Sequence, residues 1–300
     1  MYKRQVFKPF VFLAAFEEAA AGGRTDLTPA SLTLDEPTTF TFDDQVWEPK
    51  NYDDYDGEIT WRRALAMSRN LGTIHVGETI GFDKIAALWR RVGVGAPPRG
   101  FPSITLGVFE LTPLEVAQAY TLFVNAGAVR PLRAIDHITA GTRRLTSTAG
   151  RPKQVARPET TFLVTNMMRS VIDEGTGAGA RANGFALDAA GKSGTTNDLR
   201  DAWFVGFTPE LLTVAWVGFD DNQPLGLSGT QAALPIWTEF MKSALAGRGN
   251  VEFTPPDEGV VFAEIDRDTG KLATPHCPRT ITESFLAGTE PGELCPLHSF

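Results

Sequence analysis

The sequence predicts an α/β fold in which an antiparallel sheet is flanked by helices. Two observations carry that expectation. Apolar spacing runs at about 3.6 residues up to a glycine-rich loop at 175–179 and at about 2 beyond it. Past that change, residues 202–208 and 212–220 are rich in aromatic and β-branched side chains, and Thr208-Pro209-Glu210 joins them in the pattern of an antiparallel hairpin.

The elements follow in order. Residues 6–21 have helix-forming composition, and Gly22-Gly23 stops them. Residues 25–55, rich in Thr, Asp, Pro and aromatics without a sustained period, read as a long loop with short extended pieces. Two helical patterns over 60–91 break near 70–72 and again near Gly81. At 111–125, Thr112-Pro113 opens a helix and Glu115 is placed to close a capping box. Residues 158–174 form another helix, ended by the glycine-rich loop. After the hairpin, 232–246 return to helix with Pro235 in the first turn, 249–256 read as a linker, and 260–272 as a small hairpin around Arg267-Asp268-Thr269-Gly270. Trp203, Phe204, Trp216 and Trp237 fit sheet and helix packing rather than a carbohydrate platform.

Composition narrows the function classes. With 42% apolar and 21% charged residues in 300, the chain has globular composition and room for one large domain plus an appendage. Its formal net charge is −8, and no run of Lys or Arg makes a stripe able to neutralise phosphates, so nucleic acid is not an expected partner. No uninterrupted apolar stretch approaches the roughly 18 residues of a membrane span; the nearest, at 9–23, is broken by Glu17 and Glu18. Residues 1–5 lead into no apolar core with a small-residue cleavage site, so no signal peptide is read.

Three short elements could carry chemistry: Phe7-Lys8-Pro9-Phe10 on the opening helix, Ser68-Arg69-Asn70 at a helix break, and Lys192-Ser193-Gly194-Thr195-Thr196 entering the strand region. Singly each is weak, because Ser-x-Asn usually caps a helix and Lys-Ser-Gly is a common turn. Their order and neighbourhoods are specific. The blocks FKPFVFLAAFE, NYDDYDGEITWRRALAMSRNLGTIHV, LTPLEVAQAYTLFVNAG, AAGKSGTTNDLRDAWFVGFTP and LLTVAWVGFDDNQPLG with AALPIW resemble the transpeptidase domain of class A, bifunctional high-molecular-mass penicillin-binding proteins, over roughly residues 6–246.

That resemblance implies a penicillin-binding protein transpeptidase and serine β-lactamase type of fold that lacks its first strands, with a strand edge at 212–220 left unpaired. It implies a serine acyl-enzyme that cross-links peptidoglycan stem peptides ending in D-Ala-D-Ala and that is acylated by β-lactams. Acyl transfer needs a nucleophile, a proton acceptor and oxyanion donors. Lys8 is the implied base, its pKa depressed by burial and by Lys192. Ser68 relays a proton to the leaving group, and Asn70 orients Lys8 and bonds the substrate amide. Ser193, Gly194, Thr195 and Thr196 line the substrate edge, with the Thr195 N–H as an oxyanion donor and the hydroxyls facing a carboxylate. No metal and no organic cofactor is expected for this chemistry.

One position departs from the pattern. Three residues before Lys8, where the family carries its nucleophilic Ser, stands Gln5, so the chain as written is expected to be inactive. Residues 1–5 are read as a non-native leader: back-translated from a GTG start they can be GTG TAT AAG AGA CAG, which resembles the end of a transposon-type sequencing adapter. Residues 6–248 are then a partial transpeptidase domain and 249–300 a C-terminal extension. The intact protein is expected in the cell envelope, outside the cytoplasmic membrane, tethered through an N-terminal anchor absent here. Transpeptidation is preferred over β-lactam hydrolysis because no Glu-x-x-Leu-Asn pattern supplies a base for water. The alternative is a non-catalytic module that binds stem peptides or β-lactams.

The remaining candidates lie elsewhere. Outside the membrane, Cys277 and Cys295 are expected to form a disulfide. Zinc on His276, Cys277, Cys295 and His298 is the lesser reading, because the spacing matches no common finger. His75 and His137 are isolated in sequence, and Asp53-Asp54-Tyr55-Asp56 reads as a solvated acidic turn rather than a calcium loop.

Overall fold

The computed structural model describes residues 6–42, 44–96, 98–146 and 150–298, so Gln5 and the rest of the expected leader lie outside the described residues. The chain opens with α1 (Lys8–Gly22), in which Pro9 occupies the first turn and Gly23 ends the helix in the left-handed conformation. Residues 8–17 and 19 are all buried, so α1 is a core helix enclosed on every side. Around its start Phe7, Phe10, Trp89, Phe109, Tyr120 and Phe123 form a continuous aromatic cluster with ring centroids 5.0–5.6 Å apart. The Tyr120 hydroxyl, held in its neutral form by burial, donates to the Val6 carbonyl at 2.5 Å.

Short strands follow: β1 (Leu32–Asp35), β2 (Phe40–Phe42), β3 (Gln45–Trp47) and β4 (Gly57–Thr60), with β1 paired to β4 and β2 to β3. Where two helical patterns were expected there are three helices, α2 (Trp61–Ala66), α3 (Asn70–Ile80) and α4 (Phe82–Val92). The first break falls before Asn70, at Met67 to Arg69, because Ser68 takes a left-handed φ of 57° that no helix accommodates. Helix α5 (Pro113–Val124) has the expected capping box between Thr112 and Glu115. The small pairs β5 (Ala128–Val129) with β8 (Lys153–Gln154), and β6 (His137–Ala140) with β7 (Arg143–Thr146), lead to α6 (Pro158–Asp173) and α7 (Gly179–Ala182).

The central sheet is antiparallel, in the order β11 (Leu212–Gly218), β10 (Asp201–Phe207), β9 (Ala190–Thr195). All seven residues of β10 are buried, with α6 and α8 (Gly229–Ala244) packed against the sheet. Among the described residues β11 pairs with β10 alone, which leaves its other edge without a strand. Helix α8 begins three residues earlier than expected: Ser228 and Gln231 form a capping box, and Pro235 lies inside the helix. Its Gly229 is required by contact, since a Cβ there would meet the Gly194 and Trp203 carbonyl oxygens at 2.5 Å.

The expected hairpin within 260–272 is corrected. Strand β12 (Val260–Asp266) pairs with β13 (Thr280–Leu286), from Val260 opposite Leu286 to Asp266 opposite Thr280. The turn at 267–270 exists, and past it Lys271 and Ala273 bond back to Asp266 and Glu264 around a single Ile265–Leu272 bridge before the chain leaves. This hairpin is joined to the helical lobe by Arg62, buried, whose Nε and Nη2 each donate to Glu283 at 2.5 Å. The expected Cys277–Cys295 disulfide is not formed in this structure: both thiols are free, with Cys295 Sγ 3.3 Å from His298 Nδ1 and Cys277 Sγ accepting from the Thr274 N–H at 3.2 Å.

Candidate active site

The site is assembled by the first turn of α1, the break between α2 and α3, and β9. Lys8 and Lys192 are both fully buried, and their amines converge on one serine. Lys8 Nζ donates to the Ser68 carbonyl at 2.5 Å and to Asn70 Oδ1 at 2.7 Å, and lies 3.4 Å from Ser68 Oγ. From the sheet side, Lys192 Nζ donates to Ser68 Oγ at 2.7 Å and to the Ser193 carbonyl at 3.0 Å. The strained φ of Ser68 lets its carbonyl and hydroxyl face the two lysines together, a backbone cost of about 1–3 kcal/mol held by the surroundings.

Burial and charge set the lysines apart from ordinary ones. Burial, then the neighbouring Lys192, holds the Lys8 amine well below the usual lysine range, with Asp35 opposing the shift. Burial brings Lys192 down to about 7. Neither amine pairs with a carboxylate among the described residues; their partners are hydroxyl, carbonyl and amide oxygens. A neutral amine against a hydroxyl can accept a proton near neutral pH, which a salt-bridged lysine cannot.

Asn70 is held from below. Its backbone N–H donates to Asn51 Oδ1 at 2.8 Å and its Nδ2 to the Lys50 carbonyl at 2.6 Å, which turns Oδ1 toward Lys8. Asn51 in turn donates from Nδ2 to both oxygens of the buried Asp35, at 3.0 and 2.8 Å. Arg69, buried between Ser68 and Asn70, donates to Asp56 at 2.9 Å and pairs with Asp53. Asp53 and Asp56 thus supply counter-charge to a buried arginine, while Asp53 and Asp54 stay exposed, in keeping with the expected acidic turn. Asp35, Asn51 and Thr176 were not singled out in the sequence, and Arg69 was named only as the middle of Ser68-Arg69-Asn70, without a role. Asn51, Asp53 and Asp56 sit in the second of the quoted blocks and Asp35 lies before it, but their partners are 13–21 residues away and no local pattern links them.

On β9 the four substrate-edge residues separate. Ser193 is buried, with Oγ 2.8 Å from Thr176 Oγ1, and Gly175 before it allows the backbone to pass against the Ala66 carbonyl. Thr196 Oγ1 accepts from the Asp201 N–H at 2.8 Å and closes the turn into β10. Thr195 Oγ1 accepts from the Gly229 N–H at 3.0 Å, which leaves its own proton free to donate outward. Gly194 pairs with Trp203 across the sheet. Asn70, Thr195 and Thr196 open onto a cavity of about 440 Å³ lined also by Trp47, Lys50, Asn51 and Tyr52. The structure brings Lys8, Ser68, Asn70 and Lys192 together, and of these four Asn70 lines the cavity, with Thr195 on its wall.

Comparison with known proteins agrees with this architecture. Residues 6–242 match the penicillin binding protein transpeptidase domain, and residues 256–300 the C-terminal domain of penicillin-binding protein 1A. The chain is 38% identical over 268 residues to penicillin-binding protein 1A of Neisseria lactamica, which covers 85% of this chain and 32% of that protein. It is 33% identical over 295 residues to the protein of the same name from Aquifex aeolicus, covering 96% of this chain and 39% of that one. The crystal structure of penicillin-binding protein 1A from Haemophilus influenzae superposes with a TM-score of 0.86 at 29% identity, over 98% of this chain and 49% of that one. The chain thus spans about a third of the length of the curated relatives it matches. With a buried lysine pair on a serine, an asparagine behind it and a sheet edge in front, the chain belongs to the penicillin-binding protein transpeptidase family.

Proposed function

We propose that the protein of which this chain is part is a peptidoglycan D,D-transpeptidase of the cell envelope, acting outside the cytoplasmic membrane on stem peptides ending in D-Ala-D-Ala. The observation that carries the reading is the convergence of two fully buried amines, Lys8 and Lys192, on Ser68. In the acylation step a serine hydroxyl at the position of Gln5 attacks the penultimate D-Ala carbonyl and gives its proton to the neutral Lys8 amine. The carbonyl oxygen becomes an oxyanion beside the Thr195 N–H. The C–N bond then breaks, and the proton passes from Lys8 through the Ser68 hydroxyl to the departing D-Ala amine. In the second step an acceptor amine attacks the ester, its proton returns to the serine, and a new amide links the two stem peptides. The outward-facing Thr195 hydroxyl and Lys192 suit the substrate carboxylate, and Asn70 the substrate amide.

Gln5 cannot form the ester, so this chain is inactive as written. A second reading, a non-catalytic module that holds stem peptides or β-lactams reversibly, rests on that same residue. Fluorescent penicillin distinguishes the two. Covalent labelling of the Gln5→Ser chain, with none of the chain as written, supports the enzyme. A Gln5→Ser chain that is folded by circular dichroism and stays unlabelled would favour the binding module.

A further inference from the structure

Beyond the active site, the C-terminal hairpin gathers four side chains that the mechanism does not use. Asp266 ends β12, Cys277 lies in the loop after the turn, and Cys295 and His298 follow β13. One ligand atom from each lies within 4.8 Å of every other. Three separate chain segments supply them, so the cluster is a product of the fold and not of local sequence.

The Asp266 carboxylate is fully buried. Its Oδ1 is saturated by the Asp268 N–H at 3.1 Å, the Thr269 N–H at 2.9 Å and the Thr269 hydroxyl at 3.0 Å. Its Oδ2 is buried without a hydrogen bond among the described residues, and faces His298 Nδ1 at 3.2 Å. A buried carboxylate oxygen left in that condition is costly unless something positive fills the space before it. His298 Nδ1 is also 3.3 Å from Cys295 Sγ. In a tetrahedral zinc site with bonds of about 2.0 Å to N and O and about 2.3 Å to S, ligand atoms stand roughly 3.3–3.8 Å apart. The two distances given above are close to that spacing, and the 4.8 Å limit leaves little to contract.

The surroundings hold the donors in place. The Thr274 N–H donates to Cys277 Sγ at 3.2 Å, the Cys295 N–H to the Leu272 carbonyl at 2.8 Å, and the Thr274 hydroxyl to the His298 carbonyl. An N–H aimed at a sulfur and hydrogen bonds that turn one carboxylate oxygen inward are the outer-shell support a metal ligand needs. Two sulfurs, one imidazole and one carboxylate select zinc over calcium or magnesium, which prefer all-oxygen sets.

We propose that Asp266, Cys277, Cys295 and His298 form a tetrahedral zinc site that pins the end of the chain onto the C-terminal hairpin. Binding replaces the two thiol protons, so uptake releases protons to solvent. The site runs against the expectations of no metal and of a Cys277–Cys295 disulfide, and it differs from the lesser zinc reading in taking Asp266 in place of His276.

The test uses the full chain purified without chelator, offered Zn²⁺ alone, and read by elemental analysis, thiol alkylation and intact mass. The expected result is one zinc per chain, with Cys277 and Cys295 protected from alkylation until a chelator is added. Cys277→Ser, at the half-buried ligand, and His298→Ala, near the chain end, are each expected to lower zinc affinity at least tenfold, with the fold checked by circular dichroism. An intact mass two hydrogens below that of the reduced chain, thiols that react freely in the presence of Zn²⁺, or unchanged affinity in both variants would overturn the proposal.

Discussion

Arg62 and the Lys8–Lys192 pair bury basic side chains in opposite ways. Arg62 joins the helical lobe to the C-terminal hairpin with all its nitrogens satisfied: Nε and Nη2 on Glu283, Nη1 on the Asn166 carbonyl at 2.9 Å and Ser170 Oγ at 2.8 Å. Lys8 and Lys192 donate only to neutral oxygens among the described residues. A guanidinium keeps its charge, so it is buried with a carboxylate; an amine can shed its proton, so it can be buried without one. The same desolvation that makes the first region a fastener makes the second a base.

Breaking the fastener gives the largest expected effect. Glu283→Ala leaves Arg62 buried without its counter-charge and is expected to cost about 3–5 kcal/mol of unfolding free energy, read by urea denaturation. Replacing both partners, Arg62→Met with Glu283→Leu, is expected to recover most of that loss, because a buried pair also carries the desolvation of both charges. A single variant within about 0.5 kcal/mol of the parent would show that this pair does not behave as a buried one.

The lysines sharpen the contrast through pH. Lys192 titrates at about 7 in the folded protein and at about 10.4 when unfolded. Between those values the unfolded chain holds more protons, so this group makes stability rise with pH through that window, by up to about 1.4 kcal/mol per unit. Below about 7 its destabilising contribution is at its full extent. Lys192→Met is expected to reduce the slope, leaving the share that the low-lying Lys8 contributes, measured as denaturation midpoints from pH 6 to 10; an unchanged slope would mean that Lys192 does not titrate low.

A smaller effect separates strain from charge. Ser68→Ala and Ser68→Gly both remove the hydroxyl between the lysines, but only glycine relaxes the left-handed φ of 57°. Ser68→Gly is expected to be about 1 kcal/mol more stable than Ser68→Ala by the same denaturation assay. Equal stabilities would place the strain elsewhere.

Much of this was legible in the sequence. The sheet hairpin, the capping box at Thr112 and the convergence of Lys8, Ser68, Asn70 and Lys192 follow from spacing and from motif order, because each rests on local patterns or on a recognisable block. What escaped was long-range. Strand β12 pairs with residues 280–286 rather than its near neighbours, since the chain makes an excursion through 271–279 that carries Cys277 to Asp266. The supports of Asn70 escaped for the same reason: Asp35 and Asn51 have meaning only once β1 and the loop before β4 lie against the break at Ser68. The expected location outside the membrane suggested a Cys277–Cys295 disulfide, but it could not show an aspartate and a histidine arriving at the same point.

The central claim is that two buried amines without a counter-ion serve as the proton-handling pair of the site. It is tested most directly by following the lysine side-chain ¹³Cε signals of the folded chain by NMR across pH 5 to 11, with Lys8→Met and Lys192→Met variants to assign them. Two resonances are expected to titrate apart from the rest, Lys192 near 7 and Lys8 well below the ordinary lysine range. If every lysine titrated near the unperturbed value of about 10.4, the pair would be charged at neutral pH and the account of it as a base would be wrong.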